Sequence, residues 1–87
     1  MFYYVYLLRS EKDGKFYTGC TGDIRKRLAK HQSGAVHSTK GRGPFALLYY
    51  EACRDQNDAY RREKYLKTGM GKRYLNNRLK RFLSLTG

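Results

Sequence analysis

The sequence predicts an α+β domain in which a small antiparallel or mixed three-stranded sheet is flanked by helices, in the order β-β-α-β-α-α. Two aromatic runs around an Asp-Gly pair are typical of a hairpin, and a later apolar run predicts a third strand. The other apolar residues follow helical spacing behind capping residues. At 87 residues, the chain is expected to form one domain over residues 1–87 with a single modest core.

The composition is dominated by charge, with 19 Lys and Arg against 7 Asp and Glu and a formal net charge of +12. This excess predicts a polyanionic partner, either nucleic acid or an anionic membrane surface. The longest apolar-rich run, residues 2–8, is too short to span a bilayer and has no basic leader. We therefore expect a cytoplasmic protein that is neither embedded in a membrane nor secreted. Cys20 and Cys53 lack metal-site spacing, so reduced thiols are expected.

The first two strands are expected at residues 2–8 and 16–20, joined through Asp13 and Gly14, because glycine tolerates the positive φ of tight turns. Strand residues two apart share a face, so the side chains of Tyr4 and Tyr6 point the same way. Tyr17 can lie beside them across the hairpin. The three phenols fit either aromatic packing or a site that uses their hydroxyls.

The first helix is expected over residues 24–32, capped by Asp23 and stopped near Gly34. Arg27 and His31 are four residues apart, so both project from one face. A guanidinium and an imidazole at one place suit recognition of a phosphodiester. The alternative is an ordinary solvated basic face.

The third strand is expected at residues 45–52, and its nearly continuous apolar character predicts a central position. Asp55 is expected to cap a second helix that stops at Gly69. Residues 69–71 predict a break, followed by a third helix over residues 72–83. The apolar stripe of that helix comprises Leu75, Leu79, Phe82 and Leu83.

Glu63 lies on the face of the second helix that also carries Ala59 and Leu66, at spacings i, i+4 and i+7. An acid on a core-facing stripe is costly unless a cation or several donors compensate it. A divalent metal would serve, because Mg²⁺ commonly binds through one or two carboxylates with waters and phosphates. A structural ion pair between Arg27 and Glu63 is the alternative.

Four motifs in one chain order resemble the GIY-YIG nuclease family over essentially the whole chain. They are Tyr4-Val5-Tyr6, Tyr17-Thr18-Gly19 after ten intervening residues, Arg27 with His31, and Glu63. The resemblance is strongest to small stand-alone members, relatives of the N-terminal nuclease domain found in an excinuclease and of certain homing endonucleases. Tyr4 replaces the glycine of the first motif, and Thr18 replaces the isoleucine of the second.

The resemblance implies an antiparallel three-stranded sheet and a metal-dependent DNA endonuclease, with a place in DNA repair or processing. Glu63 would hold Mg²⁺ or Mn²⁺, and Arg27 would clamp the scissile phosphate. Tyr6 would take the proton of the attacking water, which requires a pKa below the usual phenol value of ~10. His31 would orient water or Tyr6, and Tyr17 would line the site.

Contacts to nucleic acid are predicted at six further positions, most of them in the basic loop over residues 35–44 and on the last helix, where they would meet phosphates. They are Gly19, Lys40, Arg42, Lys72, Arg73 and Asn77, with Asn76 as the alternative match to a late family asparagine. The chain has no evident base-reading module, so a partner protein, a homodimer or the shape of the nucleic acid would supply specificity. Two other classes are compatible with the sequence: a non-catalytic nucleic-acid-binding domain and a basic ribonucleoprotein component.

Overall fold

Strand β1 is the central strand of an antiparallel sheet with the order β2-β1-β3. The sheet consists of β1 (Tyr3–Ser10), β2 (Phe16–Thr21) and β3 (Phe45–Cys53). Strands β1 and β2 form the expected hairpin, with Gly14 at a φ of 73° in the connection. The predicted hairpin and the predicted antiparallel sheet are therefore confirmed.

The computed structural model describes residues 1–86, and this part of the chain contains four α-helices and one short 3₁₀ turn. The helices are α1 (Ile24–Gln32), α2 (Gln56–Leu66), α3 (Gly69–Arg78) and α4 (Lys80–Thr86), and the 3₁₀ turn is His37–Thr39. Asp23 and Asp55 cap α1 and α2 as predicted, each accepting a hydrogen bond from a backbone N–H three residues later. Across residues 1–86, no helix combines the length and apolar content needed to cross a bilayer.

Alternation along β1 builds a core on each face of the sheet. Val5 and Leu7 pack on one face in a cluster that includes Leu66 of α2 and Leu75 of α3. On the other face a second cluster, packed against α1, forms the other half of the core. Its members are Tyr6, Leu8 and Phe45, with Ile24 and Leu28 of α1 against them. The central strand is thus buried from both sides, and its side chains reach both helical layers.

The predicted central position of the third strand is wrong, because β3 forms an edge of the sheet. The apolar run predicts a strand, but β1 carries an equally apolar run and pairs on both sides. On β3, Tyr50 remains exposed, which is consistent with an edge strand. Apolar character alone does not distinguish two such strands, since strand order depends on pairing.

The predicted break between the second and third helices is present but misplaced: it lies at Lys67 and Thr68, and α3 begins at Gly69 rather than at residue 72. The hydroxyl of Thr68 caps this helix by accepting a hydrogen bond from the backbone N–H of Gly71. A second break, which the sequence does not predict, lies at Leu79, between α3 and α4. Phe82, which the sequence places in the apolar stripe of the third helix, lies on the separate helix α4 and is 46% exposed.

Gly71 allows α3 to approach the last turn of α2 closely, because it has no side chain. A Cβ at Gly71 would collide with the carbonyl oxygen of Tyr65 and the Cα of Leu66, both of them backbone atoms. We expect Gly71→Ala to lower the free energy of unfolding by about 2 kcal/mol or more, because the backbone must shift. Chemical denaturation monitored by circular dichroism measures this change.

Gly69→Ala is the matched control, because a Cβ there meets no atom within 4 Å. We expect its free energy of unfolding to stay within about 0.5 kcal/mol of the unsubstituted protein, or to rise slightly through helix propensity. Equal stabilities of the two variants would show that the α2–α3 approach does not depend on Gly71.

Candidate active site

Four predicted site residues meet on the α1 face of the sheet: Tyr6 from β1, Tyr17 from β2, and Arg27 and His31 from α1. The hydroxyl of Tyr6 lies 2.8 Å from Nε2 of His31, and the two residues are only 3% and 1% exposed. The ring of Tyr17 packs edge-on against His31, with 5.0 Å between centroids. The fold therefore brings together groups that lie on three separate elements of the sequence.

His31 forms a hydrogen bond at each ring nitrogen. Its Nδ1 lies 2.8 Å from the hydroxyl of Thr39, which in turn faces the carbonyl oxygen of Val36 at 3.4 Å. Burial, reinforced by the charge of Arg27, holds the pKa of His31 below its ordinary value. A neutral imidazole then donates a hydrogen bond from Nδ1 to Thr39 and accepts one at Nε2 from the Tyr6 hydroxyl. Both ring nitrogens of His31 are thereby satisfied.

Arg27 lies against the phenol oxygens of both tyrosines. Its hydrogen bond to Tyr6 raises the pKa of the guanidinium, with a further contribution from Tyr17. Burial raises the pKa of Tyr6 above its ordinary value of 10.0 and outweighs the opposing hydrogen bond from Arg27. Tyr6 is therefore a neutral phenol at neutral pH, and the low pKa required of a simple tyrosinate base is not present in this protein.

Within residues 1–86, the Nε of Arg27 is buried without a hydrogen-bond partner. A buried donor that is left unmet is costly, so each such group in a folded protein calls for a physical explanation. A guanidinium presents its donors in a planar fork that matches phosphate oxygens. The guanidinium thus lies beside the Tyr6–His31 pair with one donor that no group in the described part of the chain satisfies.

Gly19 provides the space that the Tyr6 hydroxyl occupies. The two residues face each other across the β1–β2 ladder, and a Cβ at Gly19 would collide with the hydroxyl of Tyr6. The sequence predicts Gly19 as a contact to nucleic acid, but the residue is buried. In the structure, the absence of a side chain at Gly19 leaves room for the Tyr6 hydroxyl.

Glu63 lies on α2, the helical layer on the other face of the sheet. Burial raises the pKa values of Tyr6 and Cys20, and the charge of Glu63 adds a smaller contribution to each. Oε2 of Glu63 lies 2.9 Å from Nζ of Lys67, so Lys67 supplies the compensating cation. Among the residues that the structure describes, Glu63 forms no ion pair with Arg27, and that alternative is wrong.

The donor set at Glu63 fits a hydrated divalent cation. In the described part of the chain no three His, Cys, Asp or Glu side chains cluster as metal ligands, so a cage built from protein alone is not available. Mg²⁺ does not require one, since it usually retains several waters and binds through one or two carboxylates together with substrate phosphates. The Lys67 ammonium on Glu63 shows that a cation is accommodated there.

The predicted nucleic-acid contacts do not converge on one patch. Lys40 is exposed in the loop after α1, and Arg42 forms a 3.5 Å ion pair with Asp13. Lys72, Arg73 and Asn77 are exposed on α3. Lys72 and Asn76 line a groove of about 520 Å³ between the hairpin and the helices α2 to α4.

Three contributors were missed by sequence reasoning: Thr39, Lys67 and the pair of Glu51 with Arg62. Arg62 holds Glu51 through two hydrogen bonds of 2.8 and 2.9 Å, which fasten α2 to β3 beside Glu63. Lys67 lies four residues after Glu63, a helical pairing distance that the sequence does contain. The contact of Thr39 with His31 joins a loop to a helix and has no local signal.

The chain resembles known proteins along most of its length. Residues 2–80 match the family model described as the GIY-YIG catalytic domain. A UPF0213 protein of Clostridium perfringens is 42% identical over 65 residues, covering 74% of this chain and 69% of that protein. A UPF0213 protein of Desulfotalea psychrophila is 39% identical over 67 residues, and the match spans 75% of this chain but only 60% of that relative.

A solved structure agrees with the fold as well. The solution NMR structure of a UPF0213 protein from Bacillus halodurans superposes with a TM-score of 0.55 at 39% identity, covering 88% of this chain and 84% of the other. The match therefore covers the three-dimensional arrangement of strands and helices as well as the sequence motifs. On the motifs, the fold and the matched residues together, this chain belongs to the GIY-YIG family of nuclease domains.

Proposed function

We propose that the protein is a divalent-metal-dependent endonuclease that hydrolyses phosphodiester bonds in DNA. The observation that carries this proposal is the buried Tyr6–His31 hydrogen bond with the unmet Nε donor of Arg27 beside it. A binding surface for phosphate needs the guanidinium alone, whereas a hydrogen-bonded phenol and imidazole at the same place supply a route for a proton.

Tyr6 and His31 act as a pair in this mechanism. Because the pKa of Tyr6 is raised, the phenol is not a base by itself at neutral pH. His31 is neutral and accepts at Nε2, so Tyr6 can take the proton of the attacking water while passing its own proton to His31. Thr39 accepts from Nδ1 and keeps the imidazole in the tautomer that this transfer requires.

Arg27 would bind the scissile phosphate through its guanidinium, which lies beside the Tyr6 phenol, and would stabilise the negative charge that develops during attack. Glu63 would hold Mg²⁺ or Mn²⁺, which when bound supplies Lewis-acid stabilisation of the departing oxygen. Tyr17 packs on His31 and shares the Arg27 guanidinium with Tyr6, so it fixes both partners of the transfer.

DNA is the proposed substrate, with repair or processing of DNA in the cytoplasm as the setting. The net charge of +12 favours a polyanion, and the exposed Lys40, Lys72, Arg73 and Asn77 are proposed to contact its backbone together with Arg42. Backbone contacts do not read sequence. A partner protein or a second copy of the chain is therefore proposed to supply specificity.

The first test is cleavage of plasmid, single-stranded and branched DNA with and without Mg²⁺ or Mn²⁺. We expect metal-dependent cleavage that falls by about 100-fold or more in Glu63→Gln and in Tyr6→Phe, because each removes a group that acts in the reaction. Asp58→Asn removes an equal charge from α2, and Tyr4→Phe removes a hydroxyl from the same face of β1, so both controls should cleave normally.

Cleavage that persists unchanged in Glu63→Gln would point to a contaminating nuclease and would contradict this mechanism. Binding of every DNA without cleavage of any would contradict the proposal and favour a non-catalytic nucleic-acid-binding domain.

Arg27→Lys tests the phosphate clamp. Lysine keeps the positive charge but lacks the planar fork and the Nε donor, so we expect kcat to fall by about 100-fold, in line with the loss of one donor to a developing oxyanion. Arg25→Lys, an exposed position on the same helix, should leave kcat unchanged. An equal kcat for Arg27→Lys and the unsubstituted protein would remove Arg27 from the mechanism.

The pH dependence follows from the lowered pKa of His31. Above this pKa the imidazole is neutral and can accept from Tyr6, so cleavage should be maintained through pH 6.5 and fall only at lower pH. The unfolded chain binds the proton more readily than the folded one, and stability is therefore also lost as pH falls from 6.5 through the folded pKa. NMR titration of a His37→Gln variant isolates His31; a pKa at or above 6.5 would contradict this assignment.

A further inference from the structure

We propose that Lys67 occupies the cation position on Glu63, so that its ammonium and a divalent metal bind the carboxylate in alternation. The inference rests on the proposed function in one respect, the assignment of Glu63 as the metal ligand. Nζ of Lys67 lies 2.9 Å from Oε2 of Glu63, the distance of a charge-assisted hydrogen bond. Lys67 thereby becomes a residue that sets metal affinity.

The space around the carboxylate makes the two cations exclusive. The side chain of Glu63 is only 21% exposed, so its oxygens are open to a limited approach, and Lys67 lies in that approach. A hydrated metal on the same oxygens would place two positive charges within a few ångströms of each other, where their repulsion is strong. The ammonium must therefore leave when the metal binds.

Lys67 can leave at little cost to the fold. It is the C-cap residue of α2, and its backbone N–H donates to the carbonyl oxygens of Glu63 and Lys64 at 3.2 Å each. These bonds hold the main chain, while the side chain is 53% exposed and carries the charge on a flexible stem. An i, i+4 pair with such exposure is weak, so a metal can displace it.

The released ammonium remains beside a groove that other lysines also line. Lys67 lines the groove between the hairpin and helices α2 to α4, together with Lys15, Lys72 and Tyr17. There it joins two other lysines, whose charges favour contact with a phosphate of the substrate. Occupation of Glu63 by the metal thus frees a positive charge for DNA, which couples the two ligands.

The test is the affinity for Mn²⁺ of the whole chain without DNA, measured by isothermal titration calorimetry. We expect Lys67→Gln to lower the Kd about 3-fold to 5-fold, the range set by the strength of an exposed ion pair. Lys64→Gln is the matched control, because Lys64 directly follows Glu63 on α2, is exposed, and carries the same charge as Lys67. It should change the Kd by less than about 2-fold, since the charge it removes is exposed and screened. Glu63→Gln should abolish the binding.

Each result bears on one proposal or on both. Equal Kd values for Lys67→Gln and the unsubstituted protein, with binding lost in Glu63→Gln, would overturn the role of Lys67 and leave the nuclease proposal intact. Equal tightening in Lys64→Gln and Lys67→Gln would overturn it too, because general charge would then account for the effect. Mn²⁺ binding unchanged in Glu63→Gln would overturn both the role of Lys67 and the assignment of Glu63 as the ligand.

Discussion

The buried hydrogen bond between Tyr6 and His31 is the constraint on which much of this molecule depends. It joins the central strand to α1 through side chains with almost no exposure. Two buried polar groups are tolerated only when both are satisfied, and here Thr39 completes the chain of donors and acceptors. The strand, the helix and the loop that follows it are therefore positioned together, and Gly19 leaves the space in which the phenol lies.

The second layer of helices is positioned by separate contacts. Ala59 and Leu66 of α2 pack on the opposite face of the sheet, and the Glu51–Arg62 pair ties the helix to the edge strand. Tyr49 donates a further hydrogen bond to Glu51 at 2.8 Å. A partly buried, bidentate pair of this kind adds geometric specificity to the apolar contacts of α2. Glu63 directly follows Arg62 on α2, so the same pair also positions Glu63 relative to the sheet.

Charge in this protein has two distinct uses. Most of the lysines and arginines are exposed, where they create a field that attracts polyanions without selecting one position. Arg27 and Lys67 differ because each faces a specific group: Arg27 faces the phenols with one donor unmet, and Lys67 neutralises Glu63. The chemistry that we propose depends on these two local arrangements, whereas docking depends on the general excess.

Local signals in the sequence were sufficient for most of the secondary structure. Capping aspartates, the Asp13-Gly14 turn and the apolar spacing act over a few residues, so α1, α2 and the hairpin were predicted closely. The motifs also singled out Tyr6, Tyr17, Arg27 and His31, which the fold brings together. The strand order, the break at Leu79 and the partner of Glu63 were not predicted correctly.

The failures share a physical cause. Two equally apolar strands compete for the centre of a sheet, and only pairing on both sides decides between them. Likewise, the direction of the Tyr6 pKa depends on how burial compares with a hydrogen bond from Arg27, and burial is a property of the packed molecule. The sequence by itself determined which elements form and which side chains are candidates for the chemistry. The tertiary structure alone decided strand order, the neutral state of Tyr6 and the pairing of Glu63 with Lys67, because each depends on what the packed chain places around a group.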